Sequence, residues 1–188
     1  METTPRERLL DAVIEVALAD GIADKSLRAI AEAAGTSHRM LIHHFGSKER
    51  LFVEIIQAVE AHQRATLDRL SGSEDAAPQE LFRFWQQLRS PKLAPQERLF
   101  FEIYGQALQG REWATPLFDG IVENWVAPLA VSLEEGGLGH DAARATARLC
   151  VAVSRGLLLD VLATGEYAEA DAAMQLFLRM LHGQRDSA

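Results

Sequence analysis

The sequence predicts an all-α protein in two parts, a small three-helix head followed by a larger helical bundle, and three observations carry that prediction. Apolar residues recur at spacings of three and four almost throughout, and no stretch alternates with the two-residue period of a half-buried strand. Residues 26–51, SLRAIAEAAGTSHRMLIHHFGSKERL, read as two short helices across a glycine turn, with a third helix starting at Ser47. Residues 71–78, SGSEDAAP, are small, polar and closed by proline, the clearest break in the chain. The expected division is a head at 1–46, a connecting helix at 47–70 and a helical domain at 71–188.

The first helix starts at Thr4-Pro5-Arg6-Glu7, where threonine caps, proline occupies the first helical position and glutamate closes a capping box. Leu10, Val13, Ile14 and Ala17 form its apolar stripe, and Gly21 stops it. In the second helix Ser26 is the N-cap and Leu27, Ile30, Ala31 and Ala34 share one face. Gly35 ends that helix because it alone takes a left-handed conformation without a Cβ clash, and Thr36 or Ser37 caps the next. On the third helix Leu41 and Phe45 lie four apart and point inward, leaving His38, Arg39, Ile42 and His43 outward. Gly46 closes it, and Ser47 caps a long helix running through Leu51, Ile55 and Val59 towards Leu70. Beyond the break the predicted helices are 79–89, 96–109, 111–135 with a bend near Pro128, 141–164 and 168–182.

Composition narrows the function. The 188 residues are 48% hydrophobic and 24% charged, with a formal net charge of −8, which by itself disfavours a polyanionic partner. The distribution reverses that inference locally. Residues 25–50 hold Lys25, Arg28, Arg39, Lys48 and Arg50 against Glu32 and Glu49, a net of +3, whereas residues 65–188 hold eleven basic and seventeen acidic side chains, a net of −6. A cationic docking face on an acidic body attracts nucleic acid at one place and repels it elsewhere. No apolar run approaches the roughly 20 residues needed to cross a bilayer, and METTPRERLL lacks the basic-then-apolar pattern of a leader, so a cytoplasmic protein without membrane partners is expected. Cys150, the one cysteine, sits among Leu149, Val151 and Val153 and is expected to be a small buried hydrophobe. No GxSxG elbow, phosphate-cradling glycine loop, HExxH pair or CxxC is present, so neither enzyme chemistry nor a cofactor is expected.

Two small helices at a steep angle about a glycine turn describe a helix-turn-helix, whose second helix enters the DNA major groove. The stretch from Ala34 to Leu51, with Gly35, Leu41, His43, His44, Phe45, Ser47, Lys48, Glu49 and Leu51, resembles the signature of the TetR family of bacterial transcriptional regulators. With the helices before it, the resemblance covers roughly the first third of the chain. It implies a three-helix DNA-binding head followed by a ligand-binding, dimerising helical domain, and a repressor that a small-molecule effector releases from a palindromic operator. It also implies that Lys48 touches the DNA backbone. Ile42 departs from the family pattern, which usually places tyrosine there; isoleucine offers only apolar contact, such as to a thymine methyl.

Ser26, Arg28, Ser37 and Lys48 are the expected phosphate contacts, since hydroxyls, cations and helix N-termini bind phosphate oxygens. His38, Arg39, Met40, Ile42 and His43 are the candidates for base readout, with His44 either on phosphate or packed against the turn. Arg39 can bond O6 and N7 of a guanine together, worth about 1–3 kcal/mol of discrimination. The histidines read as DNA-facing and not as metal ligands, because adjacent His43 and His44 diverge by about 100° where a metal pair sits four residues apart.

Aromatic residues crowd positions 82–125, and Trp85, Tyr104, Trp113, Phe118 and Trp125 are the candidates to line an effector pocket; individually each reads as core. The last two helices are rich in alanine, glycine and leucine, with Ala147, Ala152 and Gly156 permitting close helix approach, which predicts a homodimer through these two helices. The competing expectation is a helical small-molecule binder or adaptor without specific DNA binding, motivated by the acidic surface and by Ile42.

Overall fold

The computed structural model describes residues 4–22, 24–71 and 78–185. Among the described residues the secondary structure is helical, without strands. The helices are α1 (Pro5–Asp20), α2 (Leu27–Ala33), α3 (His38–Phe45), α4 (Lys48–Ser71), α5 (Pro78–Leu88), α6 (Ala94–Leu108), α7 (Glu123–Glu135), α8 (His140–Thr164) and α9 (Tyr167–Arg185), with a 3-10 turn at Thr115–Phe118 between α6 and α7. Most of the predicted break at 71–78 lies outside the described residues.

The helix ends follow local chemistry. The Thr4 hydroxyl accepts from Glu7 N–H while the Glu7 carboxylate accepts from Thr4 N–H at 2.7 Å, completing the predicted capping box. The bond from the Thr4 backbone N–H, and after it the Thr4 side chain, hold the exposed Glu7 carboxyl below its ordinary range. One predicted helix is broken. Residues 111–135 do not form a single helix: a short 3-10 turn carries Pro116 near its start, Gly120 follows at φ +75°, and α7 begins only at Glu123. Proline has no N–H for the helical ladder, and a Cβ on Gly120 would sit 2.3 Å from the Asn124 side chain, so the chain turns where an apolar pattern alone reads through.

Two compact units are present, one formed by residues 1–62 with 91–119 and the other by 63–90 with 120–188. In the first, α1 packs on α2 and α6, α2 on α3, and α6 on the 3-10 turn. Val13, Ile30, Leu41, Leu51, Ile55, Leu99 and Ile103 are buried there. Gln57 of α4 donates its side-chain amide to the Pro116 carbonyl at 3.1 Å.

In the second unit α7 packs on α8, and α9 packs on both α5 and α8. Ala130, Ala143 and Ala147 are nearly inaccessible, small side chains that suit close helix approach. Ala147 therefore faces the interior of its own chain, whereas Ala152 and Gly156 are exposed. Arg144 pairs with Glu123 and Arg155 donates to the Ile121 carbonyl, both joining α8 to the start of α7. Asp171 of α9 accepts from Trp85 Nε1 at 2.8 Å and from Arg89 Nε at 2.7 Å, while the Arg89 guanidinium lies 5.4 Å from the Tyr167 ring centroid. Cys150 is half-buried, and loss of hydration pushes its thiol from an ordinary value near 9 up to about 11.

Candidate DNA-binding face

Three serine caps and two glycine turns build the face. Ser26 takes an extended conformation, and its hydroxyl oxygen accepts from Ala29 N–H at 3.2 Å. After α2 the Gly35 N–H donates to the Glu32 carbonyl at 3.1 Å and the Thr36 N–H to the Ala31 carbonyl at 2.9 Å, the crossed pair of a Schellman ending, with Gly35 at φ +66° as that motif requires. Ser37, not Thr36, then caps α3, accepting from Met40 N–H at 3.2 Å. Gly46 at φ +80° ends α3, and the Ser47 hydroxyl accepts from Arg50 N–H at the start of α4.

The inward and outward faces of α3 separate as the spacing predicts. Leu41 and Phe45 are buried, while His38, Arg39, Met40, Ile42 and His43 are exposed. Met40 and Ile42 are each about 40% accessible, and a large apolar side chain left in water on an eight-residue helix has surface available for a partner. His44 is half-buried, its ring 5.0 Å from that of His43 and 6.3 Å from that of Phe45. Arg28 is exposed on α2, and Lys48 stands at the start of α4 with its ammonium 5.0 Å from the Phe52 ring centroid. Each capping hydroxyl spends a lone pair on its own helix and retains an O–H to donate outward.

The five aromatic candidates of the body divide between the units. Tyr104, Trp113 and Phe118 belong to the first, where the Tyr104 ring meets Phe118 edge-on at 5.7 Å and Phe100 at 5.5 Å. Trp85 and Trp125 belong to the second, both buried; the Trp85 N–H is bonded to Asp171, and Trp125 lies 6.4 Å from Phe84 with the Arg64 guanidinium over its ring. Among the described residues no group of three or more His, Cys, Asp or Glu side chains is arranged to hold a metal ion.

Sequence reasoning passed over Arg6. Its guanidinium lies 5.3 Å from the centroid of the Phe45 ring and pairs with the Glu54 carboxylate, contacts that no short-range pattern announces because the partners are 39 and 48 residues away.

Short capped helices about a Schellman turn, the second turning His38, Arg39, Met40, Ile42 and His43 outward, define a helix-turn-helix in an all-α fold. Residues 9–55 match the family model described as bacterial regulatory proteins, tetR family. The HTH-type transcriptional regulator SrpR of Pseudomonas putida is 36% identical over 63 residues, which cover 34% of this chain and only 28% of that relative's own length. Over the whole fold, a transcriptional regulator from Rhodococcus sp. RHA1 superposes with a TM-score of 0.71 at 24% identity, covering 96% of this chain and 97% of that one. The multidrug binding protein EbrR, solved with proflavin, superposes with a TM-score of 0.64 at 27% identity over 94% of this chain and 98% of its own. The segment 9–55 is thus similar to the tetR family of bacterial regulatory proteins, and the chain as a whole shares the fold of these solved regulators.

Proposed function

We propose that this protein is a transcriptional repressor that binds a palindromic operator through α3 and is released by a small-molecule effector. The carrying observation is the exposed set His38, Arg39, Met40, Ile42 and His43 on a short helix whose other face is buried and whose two ends are held by Ser37 and Gly46. Arg39 and the histidines supply donors for base edges, Met40 and Ile42 apolar contact for thymine methyls. Arg28, Lys48 and the hydroxyls of Ser26 and Ser37 contact phosphates, setting register without reading sequence. Among the described residues no helix is long and apolar enough to cross a membrane.

The partner protein is a second copy. On α8 the residues Ala145, Leu149, Ala152, Gly156, Leu159 and Ala163 are all exposed and follow one another at spacings of four and three, the seam of a packed helix pair. On α9 Ala173, Leu176 and Met180 are exposed at the same rhythm. In a two-fold dimer, two α3 helices read the half-sites of a palindrome about 34–36 Å apart.

Effector release needs only a ligand that prefers a conformer with wrongly spaced heads. The proflavin complex of EbrR supports a small-molecule effector, and Tyr104, Trp113 and Phe118 lead Trp85 and Trp125 as candidate contacts because their rings are less buried. In vitro selection from random duplexes, followed by mobility shifts at several salt concentrations, tests the reading. A recovered palindrome whose affinity falls with salt is expected; no sequence preference and no salt dependence refutes it, and favours the adaptor alternative.

A further inference from the structure

Arg6 is the second residue of α1, and its side chain reaches two other helices. Its guanidinium lies 5.3 Å from the centre of the Phe45 ring, the last residue of α3, and pairs with the Glu54 carboxylate on α4. A guanidinium is planar, so one face can rest on a ring while its edge donates to a carboxylate. One side chain thus joins the three helices that frame the recognition surface.

The placement matters because α3 is short. It has eight residues, two of them buried. What prevents α3 from rolling about its axis is the seating of Leu41 and Phe45. A roll of about 20° on a helix roughly 5–6 Å in radius moves an outward side chain by roughly 2 Å, beyond the tolerance of about 0.5 Å that a binding constellation allows.

We propose that Arg6 is a positioning residue for base readout: it clamps Phe45 against α1 and α4 and so sets the roll of α3, without touching DNA itself. The proposal rests on the DNA-binding reading above. The Arg6 side chain is 46% exposed and Glu54 25%, and an ion pair so open to water adds little to folding stability, so the clamp acts on geometry.

The test uses the duplex recovered by selection with the wild-type chain and a scrambled duplex of equal length. Arg6→Ala should lower the ratio of selected to scrambled affinity about tenfold, the size of one misdirected base contact, with an unchanged salt slope and a melting temperature within about 2 °C. Glu54→Gln gives the opposed signs. Removing a negative charge beside DNA by electrostatics alone tightens binding to both duplexes, whereas loss of the clamp lowers the ratio. An Arg6→Ala variant that weakens both duplexes equally and flattens the salt slope by about one unit makes Arg6 a phosphate contact and overturns the proposal. An unchanged ratio in both variants also overturns it. If the wild-type chain selects no sequence, the DNA-binding reading fails first and this proposal with it.

Discussion

Replacing Asp171 by alanine should remove about 2–3 kcal/mol from the stability of the folded protein. One carboxylate accepts the Trp85 indole N–H at 2.8 Å and the Arg89 Nε–H at 2.7 Å, with a second guanidinium N–H on its other oxygen. A hydrogen bond to a charged group contributes about 1.5–3 kcal/mol, and three such bonds to a fully buried ion would total more than the predicted loss. Two features reduce it. The Arg89 and Asp171 side chains are 17% and 20% exposed, so water partly replaces the lost acceptor, and the guanidinium keeps the Tyr167 ring, worth about 0.5–1 kcal/mol. At roughly 2–4 °C per kcal/mol for a chain of this size, the melting temperature should fall by about 5–10 °C. Urea unfolding followed by circular dichroism at fixed protein concentration measures it, because the unfolding slope reports whether the cooperative unit is intact. Asp171→Asn, which keeps one acceptor oxygen, should lose about half as much. The double variant Arg89→Met/Asp171→Leu should be less damaging than the sum of its singles, since neither partner is left with an unpaired charge. A loss under about 0.5 kcal/mol for Asp171→Ala with an unchanged slope refutes the reasoning.

Four further outcomes are expected. Arg39→Ala should relax base preference at one operator position by about 1–3 kcal/mol, whereas Lys48→Ala should weaken all duplexes about equally and lower the salt slope by about one unit; mobility shifts on single-base variants separate the two. Gly35→Ala should destabilise by about 1 kcal/mol from backbone strain alone, since an added Cβ meets nothing within 4 Å; a neutral result in urea titration contradicts a left-handed turn there. The Cys150 thiol should alkylate slowly at pH 8 and speed up towards pH 11, losing that protection in urea. Because burial raises its folded-state value, the stability it contributes is intact below about pH 9 and drains away as pH climbs through 11, which thermal melts at pH 8 and 10.5 would register. Leu149→Glu with Leu159→Glu should halve the mass seen by sedimentation and weaken operator binding; a dimer with wild-type affinity would place the interface elsewhere.

Much of the head was legible because its signals are local. Ser26, Ser37 and Ser47 each cap through a bond to the residue three positions on, and the Thr4–Glu7 box works at the same range, so neighbouring residues suffice to announce them. Gly35 and Gly46 take positive φ for a reason that belongs to glycine itself, and the four-residue step from Leu41 to Phe45 sets the buried side of α3. Along residues 111–135 local reasoning failed, because an apolar helical rhythm outweighed Pro116 and Gly120 in the reading while the folded chain obeyed them.

The chain's order of residues therefore determined where helices start, where the head turns and which side of α3 looks outward, all matters decided within one or two helical turns. Folding in three dimensions decided that α6 packs with α1, that Ala147 is covered by its own chain, that Asp171 gathers Trp85 and Arg89 from more than 80 residues away, and that Arg6 meets Phe45 and Glu54. A contact between residues so far apart depends on how whole helices settle against one another, and no short window of residues records it.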